Sequence, residues 1–219
     1  MNLFVPKNLK KVRDVNIKPE YLINFETKVA EHYEAGNIRG PIHLAKNNED
    51  YLIEIFQYIS QDDWVFVPWR NHYHALLHGV NEEKLFQYIV EGRSMGTNNV
   101  GPNFYASSIV GGIIPLAVGV ALALKRKQST KKVWCFVGDM TSECGVFHEA
   151  YKYAKNFDLP LQWVLEDNNM SVHTPTDMAW HIKQEVPKGL EGLDLEFEDI
   201  VEEEAVVVPE KETESTDEE

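Results

Sequence analysis

The sequence predicts an α/β domain, a parallel sheet with helices on both faces. Two apolar runs and the helix between them carry that prediction. Val133-Trp134-Cys135-Phe136-Val137 is continuously apolar and Leu161-Gln162-Trp163-Val164-Leu165 nearly so, the pattern of strands buried on both faces. Between them, Gly145 to Asn156 places Phe147, Ala150, Tyr151 and Ala154 on one helical face. Strand, helix and strand of these lengths form a βαβ unit, and its right-handed crossover sets the second strand parallel to the first.

The elements upstream follow in order. Pro19 to Tyr33 opens with proline at a first helical position and spaces Leu22, Phe25, Val29 and Tyr33 as a helix. A second helix is predicted from about Glu49 to Ile59. Trp64-Val65-Phe66-Val67 is a short strand stopped by Pro68. A polar, aromatic, histidine-rich stretch, Trp69 to His74, follows, and His74 and His78 read as ordinary loop residues. Asn81 caps a helix carrying Leu85, Tyr88 and Ile89. Glu91 to Ser107, with Gly92, Gly96, Gly101 and Pro102, reads as loop. Gly111 to Arg126 is a helix of small and apolar residues. These elements divide into an N-terminal helical segment (1–45), the α/β domain (46–190) and a tail (191–219).

The charge belongs to the tail. The 219 residues carry a formal net charge of −14. Residues 191–219 hold 14 Asp/Glu against the single Lys211, so the other residues come to −1. So balanced a body offers no field for nucleic acid, and an acidic tail reads as solvated and disordered. The two cysteines, Cys135 and Cys144, read as core residues of a reducing compartment. The N-terminus lacks a charged-then-apolar signal layout. The most apolar run, Ile109 to Leu124, contains Gly111, Gly112, Pro115 and Gly119 and is too short to span a bilayer. A cytoplasmic protein with no membrane contact is expected.

Chemistry concentrates where the two strands end, in Gly138-Asp139 and in Glu166-Asp167-Asn168-Asn169. An aspartate after a strand can simply cap the next helix. Two parallel strands, however, open their carboxyl ends on one edge of the sheet, so Asp139 and Asn168 should face one crevice. A carboxylate, an amide oxygen and a backbone carbonyl suit a hard cation such as Mg²⁺. Backbone N–H groups at the start of the helix after Asp139 suit a diphosphate.

This strand-GD-helix-strand-NN layout resembles the diphosphate motif of thiamine diphosphate enzymes. Gly145 to Pro160, and Asn103 to Gly112 followed by Pro115-Leu116, are similar to the α-subunit of the decarboxylating component of pyruvate and branched-chain 2-oxo acid dehydrogenases. Ile38 to Leu44 and Trp69-Arg70-Asn71-His72 fall in that family's order, so the resemblance runs from about Ile38 to Thr176. It implies the thiamine diphosphate-binding fold, in its diphosphate-binding half. It also implies Mg²⁺ held by Asp139, Asn168 and the Met170 carbonyl. The implied cofactor contacts are Trp69 and Arg70 near the diphosphate, the Met140 and Thr141 N–H groups on it, and the Ser108 and Val110 backbones at the aminopyrimidine. His43 takes the place of a substrate-facing histidine, and His72 a weaker catalytic or supporting one.

Three departures stand out. Met140 replaces a usual glycine, Gly96 replaces a common histidine, and residues 171–219 are short where the family continues with more sheet and a histidine-bearing loop. The resemblance thus implies a version shortened at its C-terminal end. The glutamate that activates the cofactor lies, in the family, in a pyrimidine-binding domain of a β-subunit. The expected partners are that β-subunit, a 2-oxo acid and a lipoyl-bearing acyltransferase. The alternatives are a split transketolase-like carboligase subunit and a non-catalytic cofactor-binding module.

Overall fold

The computed structural model describes residues 3–98, 100–171, 174–180 and 206–209. Its five-stranded sheet has the order β2-β1-β3-β4-β7, formed by β1 (Trp64–Val67), β2 (Phe104–Ala106), β3 (Val133–Gly138), β4 (Leu161–Asp167) and β7 (Val206–Pro209). All neighbours are parallel. A small antiparallel pair, β5 (Met170–Ser171) and β6 (Thr174–Pro175), follows β4.

Strand periodicity sorts the core into two layers. Val65 and Val67 of β1, Trp134 and Phe136 of β3 and Val164 of β4 face one side. There they meet Leu22, Phe25 and Val29 of α1 (Pro19–Glu34), Leu52 and Ile55 of α2 (Glu49–Ile55), and Tyr73, Leu76 and Leu77 of α3 (His72–Leu77). Phe66, Val133, Cys135, Val137 and Trp163 face the other side. They pack on Ile113, Ala117 and Ala121 of α5 (Ile113–Arg126) and on Phe147, Ala150 and Ala154 of α7 (Gly145–Asn156). The small residues of α5 let it lie close to the sheet. Trp134 and Phe136 are wholly buried, and truncating such a side chain costs about 3–5 kcal/mol.

The helices over 19–33 and 145–156, the strand over 64–67 and the Asn81 cap stand as the sequence predicts. Asn81 Oδ1 accepts from the Lys84 N–H at 2.9 Å, opening α4 (Glu82–Tyr88). Four expectations need correction. The stretch around His72 is not loop but α3; His74 within it and His78 at its C-terminal cap are 1% and 5% exposed. Six residues are too few to show helical periodicity, and the histidines enter the core as flat rings: His74 sits edge-on to Phe136 at 4.6 Å between centroids. The loop expected over 91–107 holds the end of a helical turn, Ile89–Arg93, kinked at Gly92, and the three-residue strand β2. The helix expected from Asp139 is only the four-residue turn α6 (Asp139–Ser142), separate from α7. Finally, residues 206–209, placed by sequence in a disordered tail, form β7 along the edge of β4, with Val164 opposite Val206 and Asp167 opposite Pro209. Three consecutive valines suit a strand, and β4 would otherwise leave an unpaired edge. The rest of the tail lies outside the described residues.

The strand order fixes where a site can form. The chain passes from β1 outward to β2, then returns across β1 through α5 to β3. The winding reverses between β1 and β3, and open α/β sheets bind ligands at such a point, beyond the carboxyl ends of the strands.

Candidate functional site

A crevice of about 70 Å³ lies at that point. Trp69 and Arg70 follow β1, Gly138 ends β3 with Asp139 next, and Glu166 lies near the end of β4 with Asn168 and Met170 just beyond it; all wall it, with Met140 and Thr141 of α6. A larger cavity of about 750 Å³ opens near the amino end of β4, between Phe4, Lys7 and Trp163. It lies at the end of the strands opposite Asp139 and Asn168 and does not share their chemistry.

The first wall is held by a buried amide. Asn71 is wholly buried, and its Nδ2 donates to the Trp69 carbonyl at 2.8 Å and to the Ser94 carbonyl at 3.0 Å. Thr97 Oγ1 donates to Asn71 Oδ1. These bonds fix the turn that presents Trp69 and Arg70.

The second wall carries a deficit. Asp139 Oδ1 accepts from the Met140 N–H at 2.8 Å, whereas Oδ2 is buried with no hydrogen-bond partner. Burial lifts the Asp139 pKa from 3.8 to about 7; the Met140 N–H works against that rise and the neighbouring Asp167 carboxylate adds to it. The Met140 and Met170 N–H groups oppose that rise only in part, so the Asp139–Asp167 pair still calls for positive charge. The third wall is a turn closed on itself. Asn168 Oδ1 accepts from the Met170 N–H at 2.9 Å, Asp167 Oδ1 accepts from the Asn169 N–H at 3.0 Å, and Asn169 takes a φ of 56°. The donor set passes a fit test for a divalent cation: a carboxylate oxygen without a partner, with an amide side chain and the Met170 backbone on the same crevice, offers hard oxygen ligands. Met140 is not among the residues with positive φ, so the missing glycine puts no strain on that backbone.

The remaining residues named from sequence divide. His43 is beside the crevice rather than in its wall, its ring 5.9 Å from that of Trp69. Burial, with the Arg70 charge, lowers its pKa. Ser108 and Val110 are exposed on the loop after β2, outside the crevice. His72 is no substrate-facing group. It is 0% exposed, with Nδ1 3.1 Å from Glu26 Oε1 and Nε2 2.9 Å from Ser94 Oγ. The Met140 N–H, expected to be free for a phosphate, is taken by Asp139. Sequence reasoning passed over Asn48 and used Glu166 only as a strand end; both wall the crevice. Glu166 Oε1 lies 3.2 Å from His74 Nε2. Both ring nitrogens of His74 lack a well-directed hydrogen bond, so this is a close contact and not a hydrogen bond.

The model of the dehydrogenase E1 component family matches residues 18–192, most of the chain and every wall of this crevice. The chain belongs to that family. It is 30% identical over 165 residues to the α-subunit of acetoin:2,6-dichlorophenolindophenol oxidoreductase from Bacillus subtilis, covering 71% of this chain and 50% of the relative. It is 25% identical over 214 residues to the α-subunit of the pyruvate dehydrogenase E1 component from Rickettsia typhi, covering 87% of this chain and 66% of the relative. The chain thus spans half to two thirds of the length of these relatives. An enzyme from Mycobacterium smegmatis assigned as thiamin diphosphate-dependent overlays with a TM-score of 0.39 at 18% identity, over 58% of this chain and 23% of that one. So partial an overlay carries no argument. As a member of the E1 family, the chain has its parallel sheet with helices on both faces where the sequence predicted it.

Proposed function

We propose that this chain is the α-subunit-like half of an enzyme that uses thiamine diphosphate and Mg²⁺ to decarboxylate a 2-oxo acid and pass on the acyl group. One observation carries the reading. The strand ends that the family motif singles out meet in one crevice at the switch point, around a buried carboxylate oxygen that has no partner. Asp139, Asn168 and the Met170 carbonyl would hold the cation, and Arg70 would face the diphosphate. When bound, thiamine diphosphate supplies an electron sink for the carbon–carbon bond being cleaved. The chain's own residues bind and orient. Trp69 shields one side of the crevice. His43, kept neutral by burial and by Arg70, is placed to accept a proton or position the substrate.

A second chain belongs to this proposal. The crevice is far smaller than the ~300–1,000 Å³ of a complete small-molecule site, which supports a pocket closed by a β-subunit bearing the pyrimidine-binding domain. Exposed Ser108 and Val110 would then meet the cofactor at that junction. A lipoyl-bearing acyltransferase is the proposed acceptor. The compartment proposed is cytoplasmic, supported by the unpaired Cys135 and Cys144; no helix among the described residues is long and apolar enough to cross a membrane. Carbon dioxide release from pyruvate and from a branched-chain 2-oxo acid tests the proposal, with the chain alone and with a candidate β-subunit. Turnover only in the mixture is expected. Turnover by the isolated chain overturns the two-subunit mechanism, and a cofactor-loaded complex that never releases carbon dioxide overturns the enzymatic reading.

A further inference from the structure

Asn48 stands at the amino end of α2, where an asparagine ordinarily caps the helix by accepting from a first-turn N–H. Here its side chain makes no such bond. The local chain explains why. Asn47 adopts a φ of 65°, its N–H donates to Glu49 Oε1 at 3.2 Å, and the same oxygen accepts from the Tyr73 hydroxyl at 3.1 Å. Glu49 therefore takes the local donor and pins the turn to α3, and Asn48 is turned onto the crevice instead.

Asn48 is 2% exposed, its Oδ1 is buried without a hydrogen-bond partner, and it walls the crevice with Trp69, Arg70 and Asp139. Buried carboxamides are almost always satisfied, because an unmet acceptor loses its water and gains nothing in exchange. Among the described residues that wall this crevice, Asn48 Oδ1 and Asp139 Oδ2 are the side-chain atoms left in that state. Both are acceptors. They call for a ligand that brings donors or positive charge.

We propose that Asn48 is a further binding residue of this crevice, its carboxamide oxygen accepting from water on a divalent cation held at Asp139. This rests on the reading of the crevice as a cation site. Mg²⁺-like ions retain several of their waters, and a water polarised by the ion is a strong donor. The unmet oxygen is then a cost that the ligand-free fold carries for binding, the trade-off typical of functional sites.

The test is Mn²⁺ titrated into the full chain by calorimetry, with and without thiamine diphosphate, together with melting curves in the absence of divalent ions. The variants are Asn48→Leu and Asn48→Asp. Asn48→Leu should weaken Mn²⁺ binding about tenfold, equivalent to about 1.4 kcal/mol. It should also raise the ligand-free melting temperature by about 2–4 °C, since an apolar group of similar shape replaces an unsatisfied one. Asn48→Asp keeps the acceptor and should bind Mn²⁺ at least as well as the wild type. A structural asparagine would give the opposite pairing, lower stability with Mn²⁺ affinity unchanged, and that result overturns the proposal. Weakening seen only when thiamine diphosphate is present also overturns it, in favour of a phosphate contact. If the wild type takes up no Mn²⁺ under either condition, the cation reading of the crevice fails as well.

Discussion

Replacing Asp139 with asparagine should stabilise the ligand-free chain at alkaline pH while removing its hold on a divalent cation. Asparagine keeps the acceptor for the Met140 N–H and removes the charge beside Asp167. Raising a carboxyl pKa from 3.8 to about 7 disfavours the ionised form by about 4 kcal/mol. The crevice is open to solvent on one side, and screening leaves roughly half, ~2 kcal/mol. For a chain of this length that is a rise of roughly 4–8 °C in melting temperature at about pH 8. The sign follows from the direction of the shift. With the folded pKa above the unfolded one, this group's contribution is intact below pH 3.8 and is lost as pH rises to about 7. The advantage of the variant should therefore grow across that window and vanish near its acid end. Differential scanning calorimetry in chelator, at several pH values, measures this, and Mn²⁺ titration measures the loss of binding. A variant no more stable than wild type at pH 8, or one that still binds Mn²⁺ normally, would refute the unmet-charge account of Asp139.

Four other outcomes follow from the same structure. His72→Leu should cost about 1–3 kcal/mol, because it leaves the buried Glu26 carboxyl and the Ser94 hydroxyl without their shared partner; His43→Ala should leave the melting temperature unchanged and slow turnover in the assembled enzyme without altering cofactor affinity. Gly92→Ala should cost more than about 2 kcal/mol by urea unfolding: the residue has a φ of 83°, and a Cβ there would sit 2.5 Å from the Arg39 carbonyl oxygen. His78, whose pKa burial and then Arg13 lower to about 4, is neutral when folded. Its contribution should be whole above about pH 6.5 and fall by ~3 kcal/mol as pH drops towards 4, and His78→Leu should flatten that acid limb in melting curves.

The parts of the fold legible from sequence were those with enough length to show a period. The apolar run of β3 and the spaced Phe147, Ala150, Tyr151 and Ala154 of α7 define the βαβ unit unaided, and that unit places Asp139 and Asn168 on one crevice. Shorter elements carry no such signal. Strand β2 has three residues and gains its identity by pairing with β1, while α3 opens on two histidines and a tyrosine, and the burial of the histidines depends on Phe136, Phe56 and Glu26, distant in sequence. Polar composition there suggested a loop, and tertiary packing decided otherwise.

The site was legible where chemistry sits at a strand end and hidden where it depends on a contact not made. Nothing in Asn47-Asn48-Glu49 tells that the second asparagine forgoes its cap; only the left-handed Asn47 and the pinned Glu49 reveal it. His72 misled for the converse reason. A histidine next to Trp69-Arg70-Asn71 looks poised for catalysis, yet the α3 backbone turns it inward to Glu26 and Ser94. Residue order gives neighbourhood along the chain, and side-chain direction comes from the helix.

The central claim is that this crevice holds a diphosphate through a divalent cation bound at Asp139. Isothermal titration of thiamine diphosphate into the wild type and Asp139→Ala, each with Mg²⁺ and with chelator, tests it most directly. Binding confined to the wild type with Mg²⁺ is the predicted result. Equal affinity in all four titrations would contradict the claim.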